Sequence, residues 1–126
     1  MNNVELLKNA RDLLLKLHKS LVDHERSVFE GIHGKMGAGQ FLNVLLENDD
    51  FAWLRKFSML IVEIDEMFDL KDAISADMVD ANLIKLRDLV QMNGSDEFFQ
   101  AKYASALQRD IDAAGLQSEL KTLLDN

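Results

Sequence analysis

The chain has 126 residues, of which 48% are hydrophobic, with no Pro, no Cys and a formal net charge of −8. That length and apolar content suit a single domain over residues 1–126 with one core, and exclude a disordered chain. Absence of Cys excludes disulfides, thiolate catalysis and thiolate zinc sites, and the acidic balance argues against nucleic acid and anionic membranes as partners.

Residues 4–30 predict one long amphipathic helix. Leu7, Leu14, Leu21 and Val28 recur every seven residues, with Leu6, Ala10, Leu13 and Leu17 on one flank and Leu15, Val22 and Phe29 on the other. Glu5, Lys8, Asp12, Lys16, Lys19, Asp23 and Arg26 form the wet face. This is 3.6-residue periodicity sustained over about 40 Å. Gly31, Gly34, Gly37 and Gly39 are expected to end the helix and form a flexible connection. Residues 40–47 predict a short helix, broken by Asn48-Asp-Asp50, whose side chains can cap a helix over 51–68. That helix holds the only Trp and is apolar on most of its circumference, which places it at the centre of a bundle.

A loop from Asp69 to Ile74 leads to Ser75, the expected N-cap of a helix over 76–92 with the stripe Val79, Leu83, Leu86 and Val90. Asn93-Gly94 reads as a turn, and Ser95-Asp-Glu97 opens a helix with acids in its first turn and the stripe Phe99, Tyr103, Leu107 and Ile111. Gly115 is expected to interrupt it before a short terminal helix, Leu116–Leu124. No strand pattern or internal repeat is present. The fold class is all-α, an up-down helical bundle of four main helices plus two short ones.

The longest clean apolar run, Met59-Leu-Ile-Val62, falls far short of the roughly 20 residues of a membrane span. Met1-Asn-Asn-Val-Glu lacks the basic start and apolar stretch of a signal peptide, so a cytoplasmic location is expected. The negative charge is uneven. Residues 1–48 balance at six Lys/Arg and six Asp/Glu, whereas residues 49–126 carry eight against sixteen.

Phe41-Leu-x-x-Leu-Leu46, Phe51-Ala-Trp-Leu-Arg55, Ser58-x-Leu-Ile-Val62 and Ile64-Asp-Glu66 together resemble a family of small uncharacterised all-helical bacterial proteins. Leu13-Leu-Leu-x-Leu-His-Lys19 and Asp23-His-Glu-Arg26 extend the resemblance over the first half of the chain. It implies a bacterial, soluble helical protein and transfers no activity and no functional residues. Members of that family carry a Pro near the position of Lys56, which this chain lacks.

Chemistry-bearing patterns are sparse. Arg11, His18 and Glu25 are spaced by seven and form a row inside the apolar arc of the first helix, where ionisable groups are costly unless paired. Pairing with Ser58 or Asp65, or across a dimer seam, would make the row a register device. The alternative is a small-molecule or metal-binding bundle with a polar pocket around His18, lined by Asp65 and Trp53. Glu30-x-x-His33 matches half of a carboxylate-bundle metal motif, but there is one copy only and His33 has no second His partner on a facing motif. The glycine-rich stretch Gly31–Gly39 has neither nucleotide-binding spacing. The acidic run from Glu63 to Asp80 lacks the central Gly of a calcium loop, since Ile74 stands there if Asp69 opens it. All Ser residues fall on predicted helices or caps, so nucleophilic catalysis has no support. No metal, no cofactor and no catalytic residue is expected.

Phe51, Met59, Val62 and Phe98 lie off the main stripes of their helices and mark an expected contact surface. The expected function is therefore non-enzymatic protein–protein interaction, as a homodimer or with another protein, since two-fold pairs are the commonest oligomers.

Overall fold

The computed structural model of the chain describes residues 1–125. Among them stand six α-helices and no strand: α1 (Asn3–His33), α2 (Ala38–Glu47), α3 (Ala52–Phe68), α4 (Ala76–Val90), α5 (Glu97–Arg109) and α6 (Ile111–Asp125). Three-residue 3-10 turns, Asp49–Phe51 and Lys71–Ala73, follow α2 and α3. Among the described residues, no helix is long and apolar enough to cross a membrane.

Helix α1 starts where the Asn2 side chain accepts the Glu5 amide at 2.8 Å. It buries Leu6, Leu7, Ala10, Leu14, Leu17 and Leu21, most of the expected stripe, whereas Leu15 on its flank and Val28 at its far end are exposed because no helix among the described residues covers them. It does not stop at Gly31. Helical hydrogen bonding continues to His33, and Gly34, at φ 88°, closes it in a region that other residues occupy only under strain. The loop after it is held rather than free. Glu30 accepts the Met36 amide at 2.9 Å, and Arg26 donates to the Met36 carbonyl at 2.9 Å and to Glu30 at 3.1 Å. Glu30, the carboxylate of the metal half-motif, is thus occupied by Arg26 and the backbone, while the His33 ring lies 4.2 Å from that of Phe29.

At about 46 Å, α1 is the axis of the molecule: it packs against α3, α4 and α6. Helix α3 touches α1, α2, α4 and α5 and buries Trp53, Leu54, Phe57, Leu60, Ile61, Ile64 and Met67. It is not enclosed, however, because Met59 and Val62 face solvent. The central position expected for 51–68 is shared with α1, whose length lets several shorter helices pack along it.

Cross-links set directions. Arg11 meets Asp65 and His18 meets Phe57, so α1 and α3 run antiparallel. Glu63 pairs with Lys85, and Asn82 donates to the Met67 sulfur, so α3 and α4 do too. Helix α6 differs most from its expected form. Gly115 lies inside it without interrupting it, and at 15 residues it matches α4, leaving only α2 short. Asp110 alone separates α5 from α6, so Ile111 opens α6 and is 86% exposed rather than extending the Phe99 stripe. Two start signals behave as read: Ser75 accepts the Met78 amide at 3.2 Å, and Asp96 accepts the Phe99 amide at 3.0 Å. The third differs: Asn48 accepts the Asp50 amide at 2.9 Å and caps the 3-10 turn, so α3 itself starts after Phe51 without a side-chain cap.

Candidate functional site

The row Arg11, His18 and Glu25 resolves into three separate contacts. Arg11 donates from Nε and Nη2 to the two carboxylate oxygens of Asp65, both at 2.8 Å. This fork-to-fork geometry is the strong form of an ion pair. It holds the guanidinium above its ordinary pKa, chiefly through the side-chain hydrogen bond to Asp65. His18 stacks on Phe57 with ring centroids 6.4 Å apart. Glu25, largely covered, faces the Arg109 guanidinium of α5 at 3.6 Å, an ion pair too long for a hydrogen bond.

These groups do not converge on a cavity. The clefts at the surface, of about 260–490 Å³, are lined by other residues. Trp53, expected beside the row in a binding pocket, is buried between Phe57 and Tyr103. Among the described residues no group of three or more His, Asp or Glu is placed to hold a metal ion.

Burial holds the His18 imidazole below the 6.5 of the free side chain. The unfolded chain therefore binds a proton more readily than the folded one, so stability rises with pH. The contribution is complete above about pH 6.5 and is lost as pH falls from there towards the folded-state value. Denaturant melts between pH 5 and 7.5 should show this slope, and His18→Leu should flatten it. Equal slopes in the two proteins would mean that His18 keeps its proton equilibrium on folding.

One cleft, of about 490 Å³, brings together Lys16, Lys19, Ser20, Asp23, His24, Asp110 and Asp112 between α1 and the start of α6. Sequence reading missed it because Asp110 looked like the interior of one helix. The signal was there, however: an acid before Ile-Asp-Ala is also an N-cap. Asp110 accepts the Ala113 amide at 3.1 Å and the Ser20 hydroxyl at 2.9 Å. A Ser, a His and an Asp thus share one cleft, but not as a nucleophilic triad. The hydroxyl donates straight to the carboxylate, and His24 Nε2 is buried without a partner. The arrangement ties α1 to α6.

A second polar cluster is interior. The Tyr103 hydroxyl donates to the Gln117 side-chain carbonyl, and Gln117 Nε2 donates to the Val90 carbonyl at 2.6 Å. Burial pushes the Tyr103 phenol up, so it stays a neutral donor. This chain of bonds links the end of α4 to α5 and α6 and exposes nothing to a substrate.

The residues expected at a contact surface divide. Met59 is 63% exposed and Val62 53%, side by side on α3. Phe98 is 46% exposed, with Lys102 Nζ 5.5 Å above its ring. Phe51 departs from expectation: only 6% exposed, it packs against Phe29 and Phe41 at 5.7 and 5.9 Å, because the turn before α3 directs it inward. Comparison of the chain with known protein families, curated proteins and solved structures finds no match.

Proposed function

We propose that the protein is a non-enzymatic, cytoplasmic up-down helical bundle of bacterial type that acts by protein–protein contact, as a homodimer. The observation that carries this reading is the exposed pair Met59 and Val62 on α3, a helix whose other large apolar side chains are all buried or half-buried. A single exposed apolar residue is ordinary, but two adjacent on one helix, within an acidic surface that keeps the chain soluble, fit a surface meant to be covered. The row from Arg11 to Glu25 supports it indirectly, since its members are engaged within the fold and lie apart from the clefts. The resemblance of residues 13–66 to small helical bacterial proteins is consistent with the same reading.

Native mass spectrometry of the purified chain, in mild buffer without added metal, tests it. The expected result is the mass of a bare dimer, growing with protein concentration. A monomer carrying additional mass would replace this reading with a ligand-binding one.

A further inference from the structure

Arg55, Met59, Val62 and Glu66 are spaced four, three and four residues apart, so they form one row along the solvent side of α3. This is the spacing of a coiled-coil seam, and here the seam has no partner helix. The charges beside the row are already engaged within the chain. Lys56 pairs with Asp96 at 2.7 Å, Glu63 with Lys85 at 2.9 Å and Asp65 with Arg11 at 2.8 Å. The two charges that bracket the apolar pair are different. Among the described residues, neither Arg55 nor Glu66 belongs to an ion pair. Arg55 donates from Nη2 to the Asn48 carbonyl at 3.2 Å, and its Nε has no acceptor.

We propose that this row is a self-complementary seam on which α3 of a second copy of the chain lies antiparallel. The proposal rests on the homodimer reading above and specifies its surface. A two-fold axis passing between positions 60 and 61 places Met59 against the second copy's Val62, and Val62 against its Met59. The same axis brings Arg55 to the second copy's Glu66 at both ends. It also sets Lys56 opposite Asp65 and Glu63 opposite Ser58, so no like charges face one another. Parallel pairing would put Arg55 on Arg55 and Glu66 on Glu66, so the order of charges selects the antiparallel form. Met59 suits such a seam because its unbranched thioether adapts to the facing side chain. From Arg55 to Glu66 the row is about 16 Å long. Contact along it stays below the roughly 1,200 Å² of a standard interface, so the dimer is weak and depends on concentration.

Sedimentation equilibrium of the full chain over a wide concentration range, for the native protein, Arg55→Glu, Glu66→Arg and the double exchange, tests the seam. Each single reversal faces like charges across the axis and is expected to weaken the dimer about tenfold or more, while the double exchange regains most of it. Rescue can come only between copies, because positions 55 and 66 are about three helical turns apart on their own helix. Arg55 also holds the Asn48 carbonyl, so Met59→Lys serves as a variant that leaves that bond in place, and it too should yield monomer. Far-UV circular dichroism checks that each variant is folded. A dimer that none of these changes weakens, or a double exchange no better than the singles, overturns the seam and leaves the homodimer standing. A native chain that stays monomeric at every concentration overturns both.

Discussion

Phe57→Ala is expected to cost about 3–5 kcal/mol of folding stability, the range for removing a buried aromatic ring from a core that cannot collapse around the gap. Phe57 has no exposed surface, and its ring lies 5.1 Å from Tyr103, 5.9 Å from Phe99, 6.2 Å from Trp53 and 6.4 Å from His18. Those partners come from α1, α3 and α5, so the truncation loosens three helices together. A domain of this size has about 5–15 kcal/mol in all, so a large part of the chain would unfold at moderate urea. Urea melts followed by circular dichroism measure the loss, and Trp53 emission, arising beside the same ring, should shift in step. A loss under about 1 kcal/mol would mean that neighbouring side chains fill the space and that the aromatic cluster is not the keystone of the core.

Gln117→Leu should cost about 2–4 kcal/mol, because it strands two buried partners at once. The Tyr103 hydroxyl loses its acceptor and the Val90 carbonyl loses its donor, in an interior that admits no water-exposed substitute. The diagnostic is the double variant. Tyr103→Phe removes the stranded hydroxyl, so in the Gln117→Leu background it should restore stability, although alone it should destabilise. A coupling energy of about 0.5–3 kcal/mol is expected from such a cycle. Strict additivity of the two changes would show that the bond between them contributes nothing.

Much of the fold was legible in the chain because helices follow local rules. The stripe of α1 from Leu6 to Leu21, the caps at Ser75 and Asp96, and the row Val79, Leu83, Leu86 and Val90 all depend on periodicity and on side-chain oxygens placed beside free amides. The seven-residue spacing likewise put Arg11 near a carboxylate, and Asp65 is the group it meets. Where expectation failed, a local signal was overruled by packing. Gly31 and Gly115 carry a helix penalty of only about 1 kcal/mol, and continued packing of α1 and α6 outweighs it. Gly34, by contrast, adopts a positive φ and does end its helix. Asp110 reads equally well as helix interior or as cap, and only the contact with Ser20, ninety positions earlier, decides for the cap.

Composition and spacing by themselves determined that the chain is helical, that it lacks cysteine chemistry, and which face of each helix seeks cover. Only the tertiary structure decided that α1 shares the centre with α3, that Phe51 turns inward, and that Met59 and Val62 are left outside. The physical reason is that hydrophobic periodicity fixes the direction in which a helix buries its side chains but not how many neighbours remain to cover it, and that number is set by lengths and connections across the whole chain.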